Sequence, residues 1–247
     1  MTSQDARIRF EWGPTGGEAV SAGGGLAVVV DVLSFTTCVC IAVDRGIEVH
    51  PHRWDDDSAV QYAARIGAVL AEHRGVAGGV SLSPSSIAAA RGVDRLVLPS
   101  PNGATVALAL AERGTTVVAG ALRNRGAVAR WLVVQLTARP DERVAVVAAG
   151  ERWPDGSLRP AVEDLWGAGA VVAALVDLGM GDLSPEAGAA AAAFEGSPGL
   201  AADLFRCTSG AELVERGFDE DVRLAGELDV SDAVPVLVDG AFVGSNG

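Results

Sequence analysis

The stretch VVVDVLSFTTCVCIAV, residues 28–43, decides the architecture. Three consecutive valines ahead of a turn-prone segment read as a strand buried on both faces, and such strands belong to parallel sheets covered by helices on either side. The strand ends on Asp31, and the apolar run that follows reads as a helix over 36–44. A carboxylate at that junction is costly to bury unless something pairs it. In open α/β sheets ligands collect just beyond the carboxyl ends of the strands, so Asp31 has three readings: metal ligand, nucleophile or helix cap. It stands too far upstream to cap efficiently, whereas Ser34 or Thr36 would cap the helix unaided.

Outward from this stretch, short apolar runs alternate with helical patterns. Strands are expected at 26–30, 47–50, 67–71, 95–98, 116–119 and 144–148. Helices are expected at 36–44, 56–66, 85–91, 104–113, 127–137 and 162–178, with several more after Pro185. The alternation predicts an α/β fold, a mostly parallel or mixed sheet covered by helices. At 247 residues the chain is expected to form one catalytic unit over 1–247, with room for a second intimate lobe over about 150–247. The SAGGG segment at 21–25 precedes its strand, whereas a dinucleotide-binding glycine loop follows one, so it reads as a turn. The alanine-rich segment 186–199 reads as a packing helix.

Composition removes several classes of function. The 19 basic residues against 32 acidic ones give a net charge of −13, which disfavours nucleic acid and anionic membranes as partners. Every basic residue is Arg and none is Lys. That excludes a Schiff-base lysine and a P-loop, so a bound anion must be held by Arg, by backbone N–H groups or by a metal. Three cysteines, Cys38, Cys40 and Cys207, and a polar opening without an apolar leader predict a cytoplasmic protein. The segment 165–176 is too short to cross a bilayer. The apolar composition leaves room for a homodimer face.

Four polar clusters stand where an expected strand gives way to a loop or helix. The first is Asp31 with Ser34, Thr36 and Thr37. The second, around Asn102 and Gly103, opens a helix whose free N–H groups favour an anion, although Asn-Gly is also a common turn. The third holds Arg123, Asn124 and Arg125; its guanidiniums would grip a phosphate or sulfonate, or else be salt-bridged on an acidic protein. The fourth starts the buried helix with Glu163 and Asp164. Acids in a first turn suit the helix dipole without any function, but with Asp31 they form the oxygen-rich donor set that Mg²⁺ prefers. Cys38 and Cys40 read as packing residues. His50 and His52 lack a third ligand for zinc, and Leu33 stands where a haloacid-dehalogenase phosphatase needs its second Asp.

Taken in order, DVLSFTT (31–37), LSP (82–84), SPNGAT (100–105), LRN (122–124), AVEDLWGAG (161–169) and TSGAEL (208–213) resemble the 2-phosphosulfolactate phosphatase family of coenzyme M biosynthesis and its bacterial relatives. Three positions depart from the family pattern: Ser34 stands for Arg, Leu82 for Asn and Ala161 for Ser. The resemblance implies a Mg²⁺-dependent hydrolase of a small anionic phosphate monoester. Asp31, Glu163 and Asp164 would serve as catalytic residues and metal ligands. Thr36, Thr37, Asn102, Gly103 and Asn124 would bind the phosphoryl group, Arg123 and Arg125 the rest of the substrate, and Glu72 is a reserve acid. With the Arg at 34 missing, Arg123, Arg125 or Arg152 is expected to compensate. The rival reading is an anion binder that kept the fold and lost the chemistry.

Overall fold

The protein is described here from a computed structural model covering residues 6–54, 56–76 and 78–245. Strand β1 (Ile8–Trp12) and helix α1 (Gly13–Val20) lead into β2 (Leu26–Val30), α2 (Phe35–Asp44), β3 (Glu48–His52), α3 (Asp57–Ile66) and β4 (Val69–Leu70). There follow α4 (Pro84–Ala89), β5 (Arg95–Pro99), α5 (Gly103–Ala111), β6 (Thr116–Gly120), α6 (Arg125–Ala138), β7 (Val144–Ala148), and a small hairpin of β8 (Glu151–Arg152) and β9 (Leu158–Arg159). The remainder is α7 (Val162–Asp177), α8 (Pro185–Glu195), α9 (Leu200–Arg206), α10 (Thr208–Glu215), α11 (Asp219–Ala225), β10 (Pro235–Val238) and β11 (Ala241–Gly244).

Nine of these strands form one mixed sheet in the order β1-β7-β2-β6-β10-β11-β3-β5-β4. The expected α/β class is therefore what the chain adopts. β2 is buried at every position and lies parallel between β7 and β6, with Val28 opposite both Val146 and Val118. Successive side chains of a strand face opposite sides, and the split is visible here. Val28 and Val30 join the core with Val171 and Val172 of α7, while Ala27 and Val29 join the core with Val39 and Leu110 on the other face. A strand that feeds two cores cannot carry a polar residue until it ends, and the first one it carries is Asp31.

The sheet contains two parallel groups, β1-β7-β2-β6 and β3-β5-β4, joined by the hairpin β10–β11. That hairpin pairs antiparallel with β6 through Val236 and Val118, and with β3 through Phe242 and Val49. Expectation and structure differ in two places here. The strand expected at 67–71 is only the two-residue β4 at the sheet edge, and the C-terminal region carries a central hairpin besides its helices.

α7 is apolar nearly all round and is buried accordingly. Its Gly167 lies against the end of β2, where a Cβ would stand 2.8 Å from Val30 Cγ1 and 2.5 Å from Cγ2 of Val32 just beyond the strand. Its Gly169 lies against α8, where a Cβ would stand 2.0 Å from the Ala190 carbonyl oxygen. The approach of Gly167 to the end of β2 sets the first turn of α7, with Glu163 and Asp164, beside it. Among the described residues, no helix is long and apolar enough to cross a membrane.

Candidate active site

Asp31, the first residue beyond β2, is buried. Its Oδ1 accepts the Phe35 N–H at 3.1 Å and its Oδ2 the Gly103 N–H at 2.8 Å. Two N–H groups at the starts of α2 and α5 thus converge on one carboxylate, the placement that helix dipoles favour for a negative charge. Gly103 is needed for this: a Cβ there would stand 2.6 Å from Asp31 Oδ2 and 2.5 Å from the Phe35 ring. Burial nevertheless pushes the Asp31 carboxyl up to about 6, against the two backbone hydrogen bonds and with Glu163 adding to the rise.

Asp164 sits behind it. Its Oδ1 accepts the Val32 N–H at 2.7 Å and its Oδ2 the Gly150 N–H at 2.8 Å, so this side chain ties the loop after β2 to the loop after β7. Burial, then Asp31 and Glu163, raise its carboxyl well above the ordinary range. Glu163 is buried next to both. The Cys207 thiol lies against Glu163, and burial followed by that carboxylate pushes it up to about 12.

The structure adds a fourth acid, Glu151, at the start of the β8–β9 hairpin. Its Oε2 accepts from Asn102 Nδ2 at 2.8 Å. Burial, then Asp31, push its carboxyl up to about 7. Glu151 lines a cavity of about 410 Å³ together with Ser34, Arg74, Leu82, Ser209 and Arg216. It stands three residues past β7, another strand buried at every position, much as Asp31 stands just past β2.

The other expected binding residues are held elsewhere. Thr36 Oγ1 accepts the Asp31 N–H at 3.0 Å and donates to the Asp31 carbonyl at 2.9 Å; Thr37 Oγ1 donates to the Val32 carbonyl at 2.8 Å. Both hydroxyls therefore close the turn after β2. Asn124 is wholly buried; its Oδ1 accepts the Ala121 N–H at 2.8 Å and its Nδ2 donates to the carbonyls of Ala119 and Ala233. Arg123 is ion-paired with Glu227, and Arg125 with Asp229 at 2.8 Å while stacking over Phe194. Arg152 donates to the Pro101 carbonyl at 2.9 Å. Asp31, Gly103, Asn102, Glu163 and Asp164 do come together; Arg123, Asn124 and Arg125 fasten the start of α6 to the segment following α11.

Among the described residues, no three His, Cys, Asp or Glu side chains are arranged to hold a metal ion by themselves. Mg²⁺ is ordinarily bound through one or two carboxylates, waters and substrate phosphate rather than a complete protein cage. Asp31 and Glu163 are donors of that type: buried, adjacent, and with lone pairs left over on Asp31 after its two N–H contacts. The donor set fits the ion.

A profile of the 2-phosphosulfolactate phosphatase family matches residues 17–240. The protein named 2-phosphosulfolactate phosphatase of Methanothermobacter thermautotrophicus is 32% identical over 222 residues, 88% of this chain and 89% of that one. Coverage of this extent, over all the loops that carry Asp31, Asn102, Glu151 and Glu163, establishes that the chain belongs to the 2-phosphosulfolactate phosphatase family.

Proposed function

We propose that the chain is a Mg²⁺-dependent phosphatase that hydrolyses a small phosphate monoester of the 2-phosphosulfolactate kind, to sulfolactate and phosphate in that case. The observation that carries this reading is Asp31, a buried carboxylate aimed by two backbone N–H groups beside a 410 Å³ cavity walled by a second acid, Glu151. Asp31 and Glu163 would hold Mg²⁺, which supplies neutralisation of phosphate charge and polarisation of the phosphorus–oxygen bonds.

The chain's own groups do the rest. Asp164 keeps the loops after β2 and β7 in register, which holds Glu151 close enough to Asp31 for that carboxylate to raise its pKa beyond the effect of burial. Glu151, with its carboxyl near neutrality, is suited to give a proton to the leaving alkoxide oxygen and to recover it from water. Asn102 orients that carboxyl through its amide.

The test is phosphate release by the purified protein from a panel of small phosphate monoesters that includes 2-phosphosulfolactate, with Mg²⁺ and with EDTA. Release that needs Mg²⁺ and disappears in Asp31→Asn is the expected result. Release that is equal in EDTA would remove the metal from the scheme, and silence across the panel would overturn the phosphatase reading.

A further inference from the structure

Two of the three positions at which this chain departs from the family pattern touch the same guanidinium. Arg74 Nη2 donates to Ser34 Oγ at 3.1 Å and also to the Leu82 carbonyl. Ser34 and Leu82 are the positions at which the resemblance leads one to expect Arg and Asn. The Arg74 side chain is only 12% exposed, lines the cavity, and lies close enough to Asp31 to pull that carboxyl down.

Its seat is built rather than incidental. Asp221 Oδ2 stands 3.5 Å from Arg74 Nη1, while Asp221 Oδ1 is fixed by the Ser83 and Ser85 hydroxyls and the Ser85 N–H. The Phe218 ring lies under the Arg74 guanidinium at 5.2 Å and under that of Arg216 at 5.6 Å. Arg216 opposes the charge on Arg74 and lines the same cavity. Asp221 balances the charge of Arg74, so the pair of cations on one ring keeps the positive charge of Arg216 at the cavity wall, where an anion would be attracted. On the same wall, the Ser209 hydroxyl is buried with no hydrogen-bond partner, a donor left without an acceptor. Glu72 and Glu212 also line the cavity, both exposed to solvent.

We propose that Arg74, seated on Ser34 and backed by Asp221, takes the place of the arginine missing at position 34, and that with Arg216 and the Ser209 hydroxyl it receives the second anionic group of the substrate, a carboxylate or sulfonate. This rests on the phosphatase reading for the identity of the first anionic group, the phosphate. A serine at 34 is then a requirement: an arginine there would meet the Arg74 guanidinium in the space that Ser34 Oγ now occupies. Arg123 and Arg125, engaged by Glu227 and Asp229, are not the compensating residues.

The experiment compares 2-phosphosulfolactate, 2-phospholactate and p-nitrophenyl phosphate as substrates for Arg74→Ala, Arg216→Gln and the double variant Ser34→Arg/Arg74→Ala. Each single variant is expected to lose about 10- to 100-fold in kcat/KM on 2-phosphosulfolactate, and on 2-phospholactate as well if the carboxylate is the group held, beyond whatever it loses on p-nitrophenyl phosphate. The double variant is expected to regain most of that difference, which a purely structural Arg74 would not show. Loss on both acids identifies the carboxylate as the group held, and loss on 2-phosphosulfolactate alone the sulfonate. Arg74→Ala strands the Asp221 carboxylate, so thermal melts accompany it; Arg216 is exposed, and its variant decides the matter if Arg74→Ala fails to fold. Equal losses on all three esters would overturn the proposal. If the wild type hydrolyses none of them, the phosphatase reading falls by itself, and calorimetric titration with sulfolactate decides this one: affinity lost in Arg216→Gln supports it, unchanged affinity refutes it.

Discussion

Gly103 shows how a single hydrogen atom in place of a methyl group holds the site together. Its N–H reaches Asp31 only because nothing projects from its Cα toward Phe35 and the carboxylate. Gly103→Ala is expected to cost about 1–3 kcal/mol of stability from overpacking. It should also lower kcat/KM by about 100-fold, since displacement of a reacting group by an ångström costs that much. Urea melts and initial rates on one preparation check both. At this scale the sequence is legible where a polar residue interrupts an apolar pattern: Asp31, Glu163 and Asp164 all stand out. Thr36, Thr37 and Asn124 stand out equally but satisfy backbone groups, because a hydroxyl or amide beside a strand end serves a turn as well as it serves a ligand. Arg74 is hidden for the opposite reason. Nothing local distinguishes it from the other arginines, and its importance comes from Ser34, forty positions earlier, being short.

Among the elements, α7 and β2 follow most directly from the sequence, since a run of valines and a run of small apolar residues each leave one sensible environment. α8 is legible as a helix, but its contact is not: an alanine-rich surface does not say what it covers. The answer lies in Gly169, whose Cα hydrogens face the Ala190 carbonyl. Gly169→Ala should push α8 off α7 and cost about 1–3 kcal/mol, read as a lower urea midpoint. Turnover of the folded protein should change little, because Glu163 and Asp164 lie in the first turn of the helix, more than a turn away. The hairpin β10–β11 did carry a signal. Asp239 and Gly240, both with positive φ, stand between PVLV and AFVG, the Asp-Gly pattern of a two-residue hairpin turn. A reading that assigns the C-terminal third to helices passes over it. β1 is obscured because its alternation of Ile8, Phe10 and Trp12 with Arg9 and Glu11 sits in a charged opening.

For the whole molecule, the acids gathered at the end of β2 set how stability responds to pH. The Asp31 and Glu151 carboxyls hold their protons more tightly in the folded state, to about 6 and about 7. Their contribution is fully present below the ordinary carboxylate range near pH 4 and is lost as pH rises through those values. Without metal, wild-type stability should therefore fall between pH 5 and pH 7 more steeply than that of Glu151→Gln, which has one such proton fewer to lose. Added Mg²⁺ should raise the melting temperature at pH 7.5 and leave it nearly unchanged at pH 4.5. Thermal melts of the two proteins with Mg²⁺ and with EDTA read both effects, and identical slopes would show that Glu151 is not held protonated.

The position of β10 and β11 bears on how the chain is made. They lie in the middle of the sheet yet come from residues 235–244, so until that stretch has been synthesised β6 and β3 are both open edges. A ribosome paused on the helices after Pro185 would present two strands with unpaired N–H and C=O groups, ready to pair with another nascent chain. Docking of this one hairpin therefore closes both edges at once and joins the two parallel groups into a single sheet.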